Sequence, residues 1–292
     1  MGTALKDPQG GCILSTLSTN TNPAPFSATI MMVGTTALFV RARLERLLDA
    51  IEHEAIFAPT DWGLDERRSD PYATAGILGF LAERGERPMS QTEIFLRRKQ
   101  RPRYRATLSL SREPRISFDI DPQLTVAQRA AMFDFADVLA DQFQPDWGVA
   151  HLAYELRPQH RDTEPWQDAD ERDAELLYSA AWIAPVDYFV EGPRGLGMRT
   201  YIGPHFVEQL GRERVESLPL VVTKLSWGGY RVDLVAEPWK ADVRMLLPLW
   251  RRGMAHLRDA KVLAEPRIAD NTLDGYAKGE RSVIGGVVAP QN

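Results

Sequence analysis

Apolar and polar positions along this chain recur with a period of two in some stretches and near three and a half in others, and the order of these stretches lays out its elements. Residues 26–33 form a short apolar run that predicts a strand. Residues 37–54 carry Leu38, Leu44, Leu47, Leu48 and Ile51 near helical spacing and predict an amphipathic helix. Pro59, Asp61, Trp62 and Gly63 break the pattern. Residues 72–83 predict a second helix with Ala73, Ile77, Phe80 and Leu81 inward, closed by Gly85 and Pro88. Residues 103–109 alternate Tyr104, Ala106 and Leu108 against Arg103, Arg105, Thr107 and Ser109. Residues 115–120 alternate likewise on Ile116, Phe118 and Ile120, with Ser111, Arg112, Glu113 and Pro114 as the hairpin turn. Thr125 is placed to cap a helix reaching Phe143, Pro145 ends it, and residues 147–154 predict another strand.

The second half follows a related plan. Residues 198–202 predict a short strand and residues 204–210 a helical turn ending at Gly211. Residues 218–225 and 230–236 are β-rich runs separated at Gly228 and Gly229, a hairpin signal because glycine supplies the positive φ of tight turns. Residues 241–257 then predict a helix bearing Val243, Leu246, Leu247, Leu249, Trp250, Met254 and Leu257. Both halves therefore end on a strand pair followed by a helix, which suggests pseudo-duplication. The expected fold is α+β, with two lobes, each a mostly antiparallel sheet with helices packed on it. The expected partition is an arm over 1–22, a first lobe over 23–157, an acidic connector over 158–175, a second lobe over 176–264 and a polar tail over 265–292.

Composition narrows the class. Hydrophobic residues make up 44% of the 292 and charged residues 26%, values of an ordinary globular chain rather than a disordered or membrane one. The start lacks the pattern of a secretory signal, so the expected compartment is the cytoplasm. Cys12 is the single cysteine, which excludes an internal disulfide or a multi-cysteine metal site. The formal net charge of −5 repels nucleic acid unless positive charge is clustered. One cluster exists, Arg97, Arg98, Lys99, Arg101, Arg103 and Arg105 with Tyr104 among them, and it sets up a nucleic-acid reading. Alternation places Arg103 and Arg105 on a solvent face, which is the simpler account of them.

Candidate chemistry is sparse. His53, His151, His160, His205 and His256 are scattered without ligand spacing, and no nucleophile elbow is present, so no catalytic residue, metal or cofactor is assigned. Gly192, Pro193, Arg194, Gly195, Leu196 and Gly197 lack the order of a phosphate-binding loop. An enzyme reading would gather Glu191, Arg194, Arg199, Tyr201 and His205 in a cleft between the lobes. A binding reading rests on the connector, whose Asp168, Asp170, Glu171 and Asp173 group negative charge that steers a basic partner, and on Trp227 beside a turn as an aromatic anchor.

Three segments, "FQPDWGVAHL", "SAAWIAPVDYF" followed by "GLGMRTYIGPHF", and "LPLVVTKLSWGGYRVDL" before a long helix, resemble immunity proteins of bacterial polymorphic-toxin systems, in particular the large α+β type paired with restriction-nuclease-like toxins. The resemblance implies a cytosolic, non-enzymatic protein of a type VI secretion setting that binds a cognate toxin and occludes its active site. It carries over no individual functional residue.

Overall fold

The computed structural model describes residues 24–280 apart from 35, 68, 90–91, 155–167, 179–190 and 270–271. The arm with Cys12, the first part of the acidic connector and the "SAAWIAPVDYF" segment lie outside the described residues.

The strands are β1 (Ser27–Val33), β2 (Asp61–Gly63), β3 (Asp70–Pro71), β4 (Glu93–Arg98), β5 (Tyr104–Ser109), β6 (Arg115–Ile120), β7 (Trp147–Ala153), β8 (Arg199–Ile202), β9 (Val221–Lys224) and β10 (Tyr230–Asp233). They join in one ten-stranded sheet in the order β3-β2-β4-β5-β6-β1-β7-β8-β10-β9. Every neighbouring pair is antiparallel. The expected α+β, antiparallel class is found, but the two halves do not build a sheet each. They meet at β7 and β8, where Trp147 lies opposite Ile202 and Ala150 opposite Arg199.

The helices are α1 (Arg41–His53), α2 (Thr74–Arg84), α3 (Val126–Phe143), α4 (Ala169–Tyr178), α5 (Pro204–Leu210), α6 (Arg212–Glu216) and α7 (Val243–Arg258). One sheet face carries Ile94, Leu96, Ala106, Phe118, Ile30 and Met32, and α3 buries Phe133, Phe135, Leu139 and Phe143 in the same core. Phe135 stacks on Phe57 at 4.9 Å and meets Phe118 edge-on at 5.1 Å. Burying large aromatic rings of this kind contributes roughly 1.5–3 kcal/mol each before entropy is counted. Thr125 caps α3 as expected: its hydroxyl accepts from the Gln128 N–H at 3.2 Å, and the Gln128 side chain accepts from the Thr125 N–H at 3.0 Å.

On the opposite face, β7 is covered too, which is why all seven of its residues are buried. Trp147 meets Phe206 of α5 edge-on at 6.0 Å, and Tyr154 meets Tyr178 of α4. Along β4, β5 and β6, partly exposed or exposed residues on this opposite face alternate with buried ones on the α3 face, so the sheet there is one-sided.

Several elements differ from the sequence expectation. The break at Asp61, Trp62 and Gly63 is the short strand β2, recruited by pairing with β4, itself unassigned because basic residues fill its end. The expected polar tail contains β11 (Glu265–Ala269) and β12 (Thr272–Ala277), a separate antiparallel hairpin held by Arg194 stacking on Tyr276. The described end of the connector is the helix α4, whose Ala174, Leu176 and Leu177 are buried.

Candidate functional site

Strand alternation aims Arg199 and Tyr201 at the face beneath α3, and register places Asp233 and Arg231 of β10 beside them. Asp137, one helical turn after Phe133, completes a buried polar cluster. Arg199 donates from Nε to Asp233 Oδ1 at 2.6 Å, and from Nη1 to the Phe133 carbonyl at 2.9 Å and Asp137 Oδ2 at 3.0 Å. Tyr201 donates its hydroxyl to Asp137 Oδ1 at 2.6 Å, and Arg231 donates to Asp137 Oδ2 at 2.8 Å. Two carboxylates thus face two guanidiniums. Burial opposes the Arg199 charge, but Tyr201, Asp233 and Asp137 together raise its pKa and hold it protonated. Burial lifts the Tyr201 phenol well above its ordinary range, with Asp137 adding to the shift, so it is a fixed donor. The arrangement is a clamp between α3 of the first half and β8–β10 of the second, with its strong donors already used.

The other residues of the expected cleft lie elsewhere. Glu191 accepts two hydrogen bonds from Arg194, at 2.9 and 2.8 Å, and the guanidinium sits 4.3 Å from the Tyr276 ring centre. That contact ties residues 191–197 to the β11–β12 hairpin. His205, at the start of α5, is 2.7 Å from Gln209 Nε2 and close enough to Asp146 to pull on its ionisation. Among the described residues, Glu191 with Arg194, Arg199 with Tyr201, and His205 therefore make their contacts in three separate places.

The acidic connector residues are mostly engaged. Asp168 Oδ1 accepts from the Glu171 N–H at 2.8 Å at the start of α4, and Glu171 itself is buried. Arg251 of α7 reaches Asp170 at 2.7 Å and Asp173 at 2.8 Å. Asp168 and Asp170 are the exposed members of the four, Asp170 with half of its side chain open. Trp227 stands in the β9–β10 turn, where Gly228 has φ 91°, and its indole folds over Gly229 so closely that a Cβ there would lie 2.2 Å from the ring. It is half-buried rather than projecting.

Sequence reasoning missed Asp137, Arg231, Asp233 and Asp146. Their signal is a charged residue on an inward-facing position, legible only once register is known. Asp146 immediately precedes β7, its backbone N–H bonded to the Val33 carbonyl and its own carbonyl accepting from Gly203 at 2.8 Å. A Cβ on Gly203 would sit 2.3 Å from the Pro145 carbonyl oxygen, so only glycine permits this approach. The Asp146 carboxyl is buried with Oδ2 unpartnered, and burial pushes its pKa up to about 6 against the pull of His205.

The basic segment forms a wall of an open groove of about 760 Å³ at one end of the uncovered sheet face. Arg97, Arg98 and Lys99 of the β4 end and Arg103 and Arg105 of the β5 start line one side, with Asp119, Asp121 and Phe26 on the other. Among the described residues, no group of histidine, cysteine and acidic side chains is arranged to hold a metal ion, and no helix is long and apolar enough to cross a membrane.

No protein-family model matches this chain, and no curated protein matches it in sequence. In fold it is similar to Pseudomonas aeruginosa T6SS protein PA0821, with a TM-score of 0.53 across 82% of this chain and 77% of that one, at 14% identity. At that identity the likeness is one of fold.

Proposed function

We propose that this chain is a non-enzymatic binding protein of a bacterial type VI secretion setting, one that neutralises a cognate toxin by occluding its active site. The observation that supports the reading is the fold shared with the T6SS protein PA0821, in agreement with the resemblance of the sequence to immunity proteins. The polar side chains that an enzyme would need in one cleft are instead spent on separate internal contacts, the largest being the Arg199 clamp. Asp170 at the rim of α4 and Trp227 at the β9–β10 turn retain surface for contact, while Asp168 and Asp173 act through the helix they hold in place. The protein works in the cytoplasm and needs no cofactor.

The test is an affinity pull-down of the tagged protein from its native lysate, followed by mass spectrometry and an activity assay on what is retained. One toxin-like protein should be recovered in near-equal amount and be inactive while bound. An empty bait, or a retained protein that keeps full activity in the complex, overturns the reading.

A further inference from the structure

The groove beside β4 and β5 gathers guanidiniums that internal contacts leave without a direct partner. Arg97 and Arg105 stand directly opposite each other across the β4–β5 pair, a like-charge contact that is destabilising, and each has a carboxylate on its outer side, Asp61 opposite Arg97 and Asp119 opposite Arg105. Arg103 lies two residues before Arg105 on the same face. Among the described residues, none of these three guanidiniums forms an ion pair or a side-chain hydrogen bond, whereas neighbouring Lys99 reaches Asp61 at 2.5 Å and Arg98 reaches the Ala58 carbonyl at 2.6 Å. The other wall is acidic: Asp119 lies opposite Arg105, and the Asp121 N–H bonds to the Arg103 carbonyl. Asp119 keeps a raised pKa, because burial outweighs the pull of Arg105. Phe26, 48% exposed, borders the acidic wall.

We infer that this groove is a docking surface for an acidic segment of a protein partner, with the partner's carboxylates seated against Arg97, Arg103 and Arg105. The charge pattern chooses between the classes of macromolecule. A nucleic-acid strand presents phosphate along its whole length and would meet Asp119 and Asp121 as well as the arginines, on a chain of net charge −5. A protein segment presents carboxylates at chosen positions and a cation or amide donor at others, so it satisfies both walls. Guanidinium forks bind carboxylates bidentately, and arginine is enriched where interfaces derive most of their energy. The uncovered face of β4, β5 and β6 continues from the groove and offers a partner area beyond it. The identification of the partner as the toxin rests on the proposed function; the chemistry of the groove does not.

The experiment has two arms. In the first, the intact protein is titrated with a Glu-Gly repeat decapeptide, a Lys-Gly repeat decapeptide and a single-stranded DNA 20-mer, in wild type, in Arg103→Glu/Arg105→Glu, and in Arg112→Glu. The last reverses a single charge at the exposed β5–β6 turn outside the groove. Arg103 and Arg105 are exposed, so the double variant should fold, and matching thermal melts verify it. The acidic peptide should bind the wild type and Arg112→Glu equally and the double variant at least tenfold more weakly. DNA binding tighter than the acidic peptide, no peptide binding, or equal loss in Arg112→Glu overturns the inference. In the second arm the same variants serve as bait in the lysate pull-down. Loss of the partner only in the double variant supports the inference, and undiminished recovery overturns it while leaving the proposed function standing. A wild-type bait that recovers nothing removes the proposed function, and the peptide arm then decides the groove alone.

Discussion

Arg199 and Asp233 form an ion pair of 2.6 Å across β8 and β10 with side-chain exposures of 3% and 1%. Water does not solvate either charge, so both depend on each other and on their outer partners, Asp137 at 3.0 Å from Arg199 and Arg231 at 2.9 Å from Asp233. Removing Asp233 leaves Arg199 buried with the partly exposed Asp137 as its remaining counter-charge, at a cost of about 3 kcal/mol. Asp233→Ala should lower the unfolding free energy by that amount in urea titration, and Asp233→Asn, which keeps an acceptor for the Nε proton, by clearly less. Equal loss in the two variants would show that packing rather than charge governs the site.

Thr125 gives a local counterpart. Its reciprocal bonds with Gln128 satisfy two donors at the start of α3, the helix that carries both the aromatic core and Asp137. Thr125→Ala should cost about 1 kcal/mol of stability, read as a lower urea midpoint with an unchanged slope. A Ser replacement, which retains the hydroxyl, should recover most of it.

What was legible in the sequence follows how local each cause is. Period-two alternation around Ile116 and Phe118, the Thr125 cap and the glycine turn at Gly228 are set within a few residues, and all appear where expected. The joining of both halves into one sheet was not legible. It depends on β7 meeting β8 across a separation of about fifty residues, and nothing in either strand names its partner. The recruited strand β2 and the β11–β12 hairpin were hidden for a related reason, since their pairing rather than their own pattern makes them strands. The polar cluster needed the same knowledge. Arg199 looks like any surface arginine until Ala150 and Asp233 are known to flank it.

The described acidic residues make a further case, because they read as an acidic connector and form a helix tied to α7 by Arg251. Arg251 joins Asp170 and Asp173 to α7, but its side chain is 34% exposed, so the global contribution is modest, on the order of 1 kcal/mol or less. The expected effect of Arg251→Ala is local. Amide hydrogen exchange across 169–178 should accelerate severalfold while that of 126–143 stays unchanged. Unaltered protection of 169–178 would mean that the buried side chains of Ala174, Leu176, Leu177 and Tyr178 hold the helix down without Arg251.

Two buried groups give the stability opposing dependences on pH. His151, fully buried on β7, accepts from the Met198 N–H through Nδ1, and burial pushes its pKa down to about 3 against a smaller upward pull from the Leu177 backbone. Between there and its unfolded value of 6.5 the unfolded chain binds the extra proton, so this group makes stability rise with pH. Asp146 does the opposite. Its pKa is pushed up to about 6 from 3.8, so the folded chain holds the extra proton and stability falls as pH rises through that window. Each full proton corresponds to about 1.4 kcal/mol per pH unit, and from about pH 4 to 6 the two slopes oppose each other. Relative to wild type, Asp146→Asn should therefore gain a positive slope over that window and be more stable at pH 7, because the buried charge is gone. His151→Asn should acquire a negative slope from the same cause. Urea unfolding of the three proteins at half-unit intervals from pH 4 to 7 measures both, and parallel curves would show that neither group is shifted as its burial requires.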